Sequence, residues 1–268
     1  MLSSTEMRRR YNGSWDNVRA VPDSPLSLDT EREQEELRAY LGGAYDHGAL
    51  QRYQQTLDDE WAGCEDEHAF YRTSEGYLYN LTAFAMTGTK LPYIRELMRH
   101  VPPEARLLDY GCGIGSDGLL LLEAGYRVEF ADFDNPSVAF LRWRLERRGF
   151  DAPVHDLDKQ VPGGFDAAFA FDVIEHVPDA FAFLREMEQR AALVEVNLLA
   201  PVPFDQDLHH ELPIDEILRH AADRQLVSYK LLYGRSHLVL YRPEASGPAG
   251  RFVGRARLAA GRMRARAG

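Results

Sequence analysis

The segment from about residue 104 to residue 243 alternates strand-like and helix-like patterns, which leaves few folds open. Such alternation indicates a parallel sheet with helices on both faces. Only Gly234-Arg235 separates the last two strands, and so short a connection makes a tight antiparallel hairpin. The predicted strands are Arg106–Tyr110, Arg127–Asp132, Pro153–Asp156, Ala167–Asp172, Ala192–Leu199, Leu226–Tyr233 and Ser236–Tyr241, and the predicted helices are Ser116–Ala124, Pro136–Arg148, Ala180–Gln189 and Pro213–Arg224.

Two segments precede this α/β domain, which we bound at residues 104–243. Residues 1–29 are polar and proline-punctuated, so a loose arm is expected. Residues 30–103 are predicted to be helical, with Asp29 or Thr30 as the first cap. Ten aromatic residues fall between Tyr40 and Tyr93. Because exposed aromatic side chains are costly, we expect this helical segment to pack as a lid or to line a pocket.

Residues 244–268 follow the domain as a linker and an Arg-rich tail. Phe252 and Met263 fall at helical spacing, but Gly254 and Gly261 weaken a helix, so a disordered, solvated tail is expected. The tail has six arginines and no acid after Ala249, which leaves 25 basic against 42 acidic side chains in the rest. So acidic a body argues against nucleic acid as a partner, whereas the tail is expected to touch an acidic partner or anionic lipid.

Cysteine content and hydropathy bear on location. Cys64 and Cys112 are too few for a disulfide framework or a cysteine zinc site, so a cytoplasmic location is expected. There is no apolar run of about 18 residues, and hence no expected transmembrane segment. The first ten residues lack the apolar region of a secretory signal. The oligomeric state is left open.

The stretch LLDYGCGIGSDG, from Leu107 to Gly118, predicts a ligand-binding turn between a strand and a helix. Its glycines allow close approach of a ligand to the backbone, and the helix amides face that ligand. A dinucleotide fingerprint would need its third glycine at Ser116, but the glycine comes one residue earlier. Asp109 would oppose a pyrophosphate and suits an ammonium group, so an amino-acid-bearing nucleoside is favoured.

Acidic residues end the next two strands. Asp132 lies about 20 residues beyond the turn, where a carboxylate can bind both ribose hydroxyls, and Asp134 competes for that role. Asp156 ends the third strand, where it can accept from an adenine amino group. The segment FDVIEHV, Phe171–Val177, follows the fourth strand and belongs to the same carboxyl-end edge.

Residues 106–243 resemble the class I S-adenosylmethionine-dependent methyltransferases of small-molecule type. The resemblance rests on the D-x-G-x-G-x-G motif from Asp109 to Gly115, on the acids that end strands two and three, on the FDVIEHV segment and on the final hairpin. The resemblance implies a Rossmann-like, seven-stranded sheet of order 3-2-1-4-5-7-6, S-adenosylmethionine as cofactor, and a small organic acceptor methylated on O, N or C. It implies that the turn holds the methionine part, Asp132 the ribose and Asp156 the adenine. The residues implied to bind the cofactor are Asp109, Gly111, Cys112, Gly113, Asp132, Phe133, Asp156, Leu157, Phe171 and Asp172.

The sequence departs from the pattern of some methyltransferases at two points, and three alternative functions remain open. The D/N-P-P-Y segment of methyltransferases acting on adenine or glutamine is absent, and the helix after strand three is expected to be missing. The alternatives are other chemistry on the same donor (cyclisation or aminocarboxypropyl transfer), a nicotinamide-dependent oxidoreductase, and a non-catalytic scaffold protein.

Histidines after strands four and five are the candidate general bases. His209 and His210 lie in a polar loop expected over the acceptor, and His176 lies in FDVIEHV; imidazole titrates near neutral pH. A metal site of His209, His210 and His237 with Glu175 or Asp207 is the alternative, although no metal is predicted.

Acceptor contacts are expected mainly from the helical segment. Tyrosine rings attract a sulfonium cation. Arg72 or Lys90 could hold an acidic acceptor, although a surface salt bridge is the commoner role. The predicted acceptor-binding residues are Tyr71, Tyr77, Tyr79 and His237.

Overall fold

The computed structural model of the chain describes residues 26–62, 64, 66–200 and 209–267, so most of the predicted arm and residues 201–208 lie outside it. Its strands begin and end close to the predicted positions. They are β1 (Arg106–Tyr110), β2 (Arg127–Asp132), β3 (Val154–Asp156), β4 (Ala167–Ala170), β5 (Val194–Leu199), β6 (Gln225–Leu232) and β7 (Ser236–Arg242).

These strands form one seven-stranded sheet in the order β3-β2-β1-β4-β5-β7-β6, which confirms the predicted fold. The pairs β1–β2, β1–β4 and β2–β3 are parallel, whereas β7 is antiparallel to both β5 and β6. The hairpin connection is one residue longer than predicted, because β6 ends at Leu232 and the connection also includes Tyr233. Tyr233 and Gly234 take positive φ values of 55° and 71°. Two successive residues in this conformation match the right-handed twist of a hairpin.

Eleven α-helices accompany the sheet within the described residues. They are α1 (Thr30–Leu41), α2 (His47–Gln51), α3 (Tyr53–Trp61), α4 (Glu67–Thr73), α5 (Gly76–Met86), α6 (Leu91–Met98), α7 (Ser116–Glu123), α8 (Pro136–Arg148), α9 (Ala180–Arg190), α10 (Ile214–Asp223) and α11 (Pro248–Ala267).

Local chemistry accounts for several of these boundaries. The Asp29 carboxylate accepts from the Arg32 amide at 3.0 Å and caps α1, as predicted. Asn135 caps α8 in the same way, with proline at the first turn. Residues 157–166, all of which are described, contain no helix, so the expected loss of the helix after strand three is confirmed. Among the described residues, none of the helices has the length and hydropathy to cross a membrane.

The chain divides into two compact units, whose described parts fall within residues 26–169 and 170–267. In the first unit, the helical segment shares its core with the glycine-rich turn. Leu37 of α1, Leu78 of α5, Ile114 of the turn and Phe140 of α8 are almost fully buried in one cluster. The helical segment therefore packs against the sheet portion of this unit rather than standing apart.

A buried ionic cluster, Glu33, Glu36, Arg144 and Arg148, joins α1 to α8 in the same unit. Arg144 has no exposed surface, and its guanidinium pairs with Glu33 and lies 2.8 Å from Glu36. Arg148 lies 3.0 Å from Glu33 and 2.6 Å from Glu36. Arg144 also donates to the Ile114 carbonyl at 2.9 Å, so the ionic cluster is bonded to the turn itself.

In the second unit, helices α9 and α10 bury apolar faces. Met187 and Ile217 are fully buried. Glu188 of α9 accepts from the Tyr241 hydroxyl at 2.8 Å and lies 2.6 Å from the His220 ring nitrogen. These bonds satisfy polar groups that the packing would otherwise leave buried and unpaired.

The expectation of a disordered tail is wrong, because residues 248–267 form α11, which packs on β6 and α10. The two glycines that weaken a helix in isolation are what allow this contact. A Cβ on Gly254 would collide with the Ala222 carbonyl, and one on Gly261 would collide with the Tyr229 ring. Tertiary packing therefore outweighs the low helix propensity of glycine.

Candidate functional site

The turn after β1 has the left-handed backbone conformation that its glycines predict. Gly111, Gly113 and Gly115 have φ values of 79°, 52° and 72°, a region that other L-residues rarely adopt. The amides of Gly111 and Cys112 donate to the Ala131 carbonyl at 2.8 and 3.2 Å. The turn is therefore fastened to the end of β2, and it leads directly into the N-terminus of α7.

Two of the glycines are also required by close packing. A Cβ on Gly113 would lie 2.9 Å from Leu81 of α5, and one on Gly115 would collide with Leu141 of α8. The contact with Leu81 places α5 against the turn. A role of the helical segment as a lid stays a prediction.

Asp109 lies beneath the turn and is only 4 % exposed. One carboxylate oxygen accepts from the Gly118 amide of α7 at 3.1 Å. Burial raises the pKa of Asp109 well above its usual range, with a further contribution from Asp117 and an opposing one from Lys90. Lys90 itself forms an ion pair with Asp117 at 3.2 Å, the commoner of its two expected roles. Contact between Asp109 and a ligand ammonium stays a prediction.

Asp132, at the end of β2, faces the turn. Its two oxygens accept from the Gly113 and Phe133 amides, each at 2.7 Å. Burial raises its pKa to about 6, against the lowering effect of those two bonds. Each oxygen keeps a second lone pair for a ligand hydroxyl. The competing acid, Asp134, points outward and pairs with Arg142 at 2.7 Å, so the geometry favours Asp132.

Asp156 and Leu157 stand beside Asp132 at the end of β3. The Leu157 amide donates to the Asp132 carbonyl at 3.0 Å. The Asp156 carboxylate accepts from the Asp158 amide at 3.0 Å and pairs with Lys159 at 3.0 Å, and both contacts lower its pKa. An ionised carboxylate here is the acceptor that an adenine amino group needs.

Arg72 of α4 reaches these strand ends from the helical segment. Its guanidinium lies 4.5 Å from the centroid of the Phe133 ring and binds both Asp158 oxygens, at 2.5 and 2.7 Å. The expected surface salt bridge is thus present, and it spans the ends of β2 and β3.

The three tyrosines predicted to contact an acceptor separate into two groups. Tyr71 and Tyr77 are partly exposed, with ring centroids 5.5 Å apart. Tyr79 is buried in the core, and its hydroxyl accepts from the Asp46 amide at 2.9 Å. This placement does not fit a contact between Tyr79 and an acceptor, because its ring fills the core and its hydroxyl braces the start of α2.

In the second unit, Asp172 follows β4 with a positive φ of 56°, which ends the strand two residues before the predicted position. Its side chain and amide make a reciprocal pair with the Asn197 amide group of β5, at 2.6 and 2.7 Å. Asn197 is fully buried and also lies 3.4 Å from the Ser236 hydroxyl. The sequence prediction omitted Asn197, although a polar residue inside an apolar strand was a visible signal.

The structure brings the rings of two candidate bases into contact and holds the backbone of the third against the FDVIEHV segment. The rings of His176 and His209 lie 4.7 Å apart, edge to face. The His210 amide donates to the Glu175 carbonyl at 2.7 Å, which fixes the end of the predicted polar loop on the FDVIEHV segment. Asp207 lies outside the described residues.

His237 lies elsewhere in this unit. Its Nδ1 atom is 2.9 Å from the Tyr229 hydroxyl, and burial together with the nearby Arg262 charge lowers its pKa. Successive strand residues point to opposite faces, so His237 and Ser236 lie on different sides of the sheet. His237 therefore does not join the other histidines. No group of metal-ligating side chains is found in the described part of the chain.

Comparison with known proteins was made on sequence and on fold. Residues 108–192 match a family model described as a methyltransferase domain. The ubiquinone biosynthesis O-methyltransferase of Xanthomonas campestris pv. campestris is 31 % identical over 106 residues, 38 % of this chain and 44 % of that protein. The cypemycin N-terminal methyltransferase of a Streptomyces species is 35 % identical over 99 residues, 35 % of this chain and 37 % of that protein. The matches thus span less than half of these curated relatives.

Among solved structures, the pyocyanin biosynthetic protein PhzM is similar, with a TM-score of 0.51 and 16 % identity over 78 % of this chain and 72 % of that one. This likeness concerns the fold alone. The matched domain contains the glycine-rich turn, Asp132, Asp156 and FDVIEHV, and the sheet order agrees with the family fold. Residues 108–192 are therefore similar to a methyltransferase domain, and the sheet has the strand order of the class I S-adenosylmethionine-dependent methyltransferase fold.

Proposed function

We propose that this protein transfers a methyl group from S-adenosylmethionine to a small organic acceptor, in cytoplasmic small-molecule metabolism. The observation that carries the proposal is the joint geometry of turn and acid. A turn with three glycines at positive φ lies beside a carboxylate that has remaining acceptor capacity. This arrangement fits the amino-acid end and the ribose of one ligand.

The donor would be held by the first unit. The turn at Gly111–Gly115 would hold the methionine part, Asp132 the ribose hydroxyls, and Asp156 with Leu157 the adenine. When bound, S-adenosylmethionine supplies an electrophilic methyl group on a positively charged sulfur. The role of these residues is to fix its orientation, because in-line approach is what a methyl transfer requires.

The acceptor is proposed to be a hydroxyl or an amine. The names of the matched relatives specify an O-methyltransferase and an N-terminal methyltransferase, and both kinds of acceptor lose a proton when methylated. His209 or His210 is proposed to accept that proton, with His176 supporting the His209 ring. Phe171 and Asp172 retain their predicted role at the methionine end, and Tyr71 and Tyr77 theirs at the acceptor.

Calorimetric titration tests donor binding. We expect micromolar affinity for S-adenosylmethionine and no binding of NAD. Asp132→Ala is expected to abolish binding, whereas Asp134→Ala, the matched exposed acid, leaves it unchanged. Thermal unfolding without ligand establishes that both variants are folded. If Asp132→Ala binds S-adenosylmethionine as well as Asp134→Ala does, the assignment of Asp132 is contradicted.

Product mass then identifies the reaction. Acceptor candidates carrying hydroxyl or amino groups are incubated with protein and donor, and the products are weighed. A gain of one CH2 unit, with release of S-adenosylhomocysteine, supports methyl transfer. Transfer of the aminocarboxypropyl group or a cyclised product would replace the proposal by other chemistry on the same donor. Donor binding with no product across the set favours a scaffold role.

A further inference from the structure

The helix α11 presents a second apolar face, directed away from the protein. Its inner face consists of Gly254, Leu258 and Gly261, which pack on the unit. Phe252 and Met263 are 75 % and 66 % exposed. Successive residues turn by about 100° in a helix. The eleven steps from Phe252 to Met263 therefore bring the two side chains to within about 20° of each other on the outer side.

This outer face is exceptional in the described part of the chain. Its exposed large apolar side chains are Phe252, Val253 and Met263, and all three belong to α11. Ala256 and Ala259 lie between them on the same side, so the apolar strip runs along most of the helix. A continuous strip of exposed apolar side chains indicates a surface that binds a partner.

Arginines border the strip on both sides. Arg255 lies on one side, and Arg257 and Arg264 lie on the other; all three are exposed. Arg255 is held in place by Asp223, at 2.8 and 3.0 Å. Residues 250–268 contain no acidic residue, so apart from Asp223, which pairs with Arg255, the charges beside the strip are positive.

We propose that this outer face of α11 docks the protein on an anionic membrane surface. An apolar strip between arginines is the pattern with which interfacial helices bury their apolar side in lipid and bind anionic headgroups. The acidic remainder of the chain is repelled by such a surface, which confines the contact to α11. A second copy of α11 is disfavoured as the partner, because the two arginine rims would repel each other.

Vesicle flotation tests this proposal on the full chain. The protein is mixed with vesicles of phosphatidylcholine and phosphatidylglycerol, or of phosphatidylcholine alone. We expect binding to the anionic vesicles only, and weaker binding as salt is added. The double variant Phe252→Ser/Met263→Ser should bind more weakly by about a hundredfold, since burial of each large apolar side chain contributes about tenfold or more.

A charge variant and its control complete the test. Arg264→Gln should weaken binding about fivefold, the contribution of one basic residue near an anionic surface. Arg219→Gln removes the same charge from an exposed site on α10 and should leave binding unchanged. Unchanged melting temperatures establish that all variants are folded, since each altered side chain points outward.

Other partners would overturn the proposal. Equal binding to neutral and anionic vesicles would remove the role of the arginines. Binding to polyglutamate without binding to anionic vesicles would identify an acidic protein as the partner. A dimer in sedimentation that Phe252→Ser/Met263→Ser converts to a monomer, with no vesicle binding, would identify a second copy.

Discussion

Replacing Arg144 by methionine is expected to destabilise the first unit strongly. Methionine keeps much of the apolar stem but removes a guanidinium that contacts Glu33, Glu36, the Ile114 carbonyl and the Ser116 hydroxyl. Breaking a buried ion pair from one side costs about 3–5 kcal/mol, because the remaining charge stays buried. Arg148 still contacts both carboxylates, so the lower end, about 3 kcal/mol, is expected.

The loss should depend on pH in a defined direction. Burial acts to raise the pKa of Glu36, but hydrogen bonds and charges of Arg148 and Arg144 lower it below its usual value. Such a lowered pKa contributes stability that is present above the unfolded pKa and lost as pH falls through the folded one. Without Arg144 the carboxylate protonates more readily. The difference between wild type and variant should therefore shrink between about pH 7 and about pH 4.

Urea unfolding at both pH values measures this difference. Arg142→Met is the control, since Arg142 lies on the same helix but pairs with Asp134 on the surface, where about 1 kcal/mol or less is expected. The ionic account is refuted if Arg144→Met loses no more than the control. It is refuted equally if its loss is the same at both pH values.

Three further predictions concern the turn and the proposed base. Affinity for S-adenosylmethionine should fall as pH is lowered through about 6, because protonation of Asp132 removes acceptor capacity for the ribose; calorimetry across this range would contradict it by showing a constant affinity. His209→Gln should lower the rate of methyl transfer by about 10²–10⁴ while donor affinity is kept, and an unchanged rate would assign the proton to another group. Gly118→Ala should cost about 1–3 kcal/mol in urea unfolding, since its Cβ would collide with the Phe130 ring, whereas Gly43→Ala, with open space around it, should not.

The sheet and the geometry of the glycine-rich turn could be predicted from sequence because their signals are local. The glycines, Asp109 and Asp132 lie within one strand-turn-helix-strand stretch, and each residue type has a backbone or charge requirement there. The absence of a helix after β3 could be predicted from the same kind of local signal, since a short stretch with a proline and two glycines leaves no room for a helix.

What the sequence did not predict depends on contacts between distant positions. Glu33 and Arg144 are 111 residues apart, and no local sequence pattern around either residue predicts their ion pair. The prediction of a disordered tail was wrong for a related reason. Propensity counts glycine against a helix, whereas the contact of Gly254 with Ala222 makes glycine the residue that fits.

The position of Arg72 has a consequence for any molecule that would stack on the Phe133 ring. Its guanidinium covers one face of the Phe133 ring while it clasps Asp158. An exposed ion pair of this kind adds little to equilibrium stability. A molecule that stacks on that ring face must first displace the guanidinium, so Arg72 would slow its arrival. Substitution of Arg72 would then raise the association rate of such a molecule, and because the displaced pair is weak, its affinity would rise by only about fivefold or less.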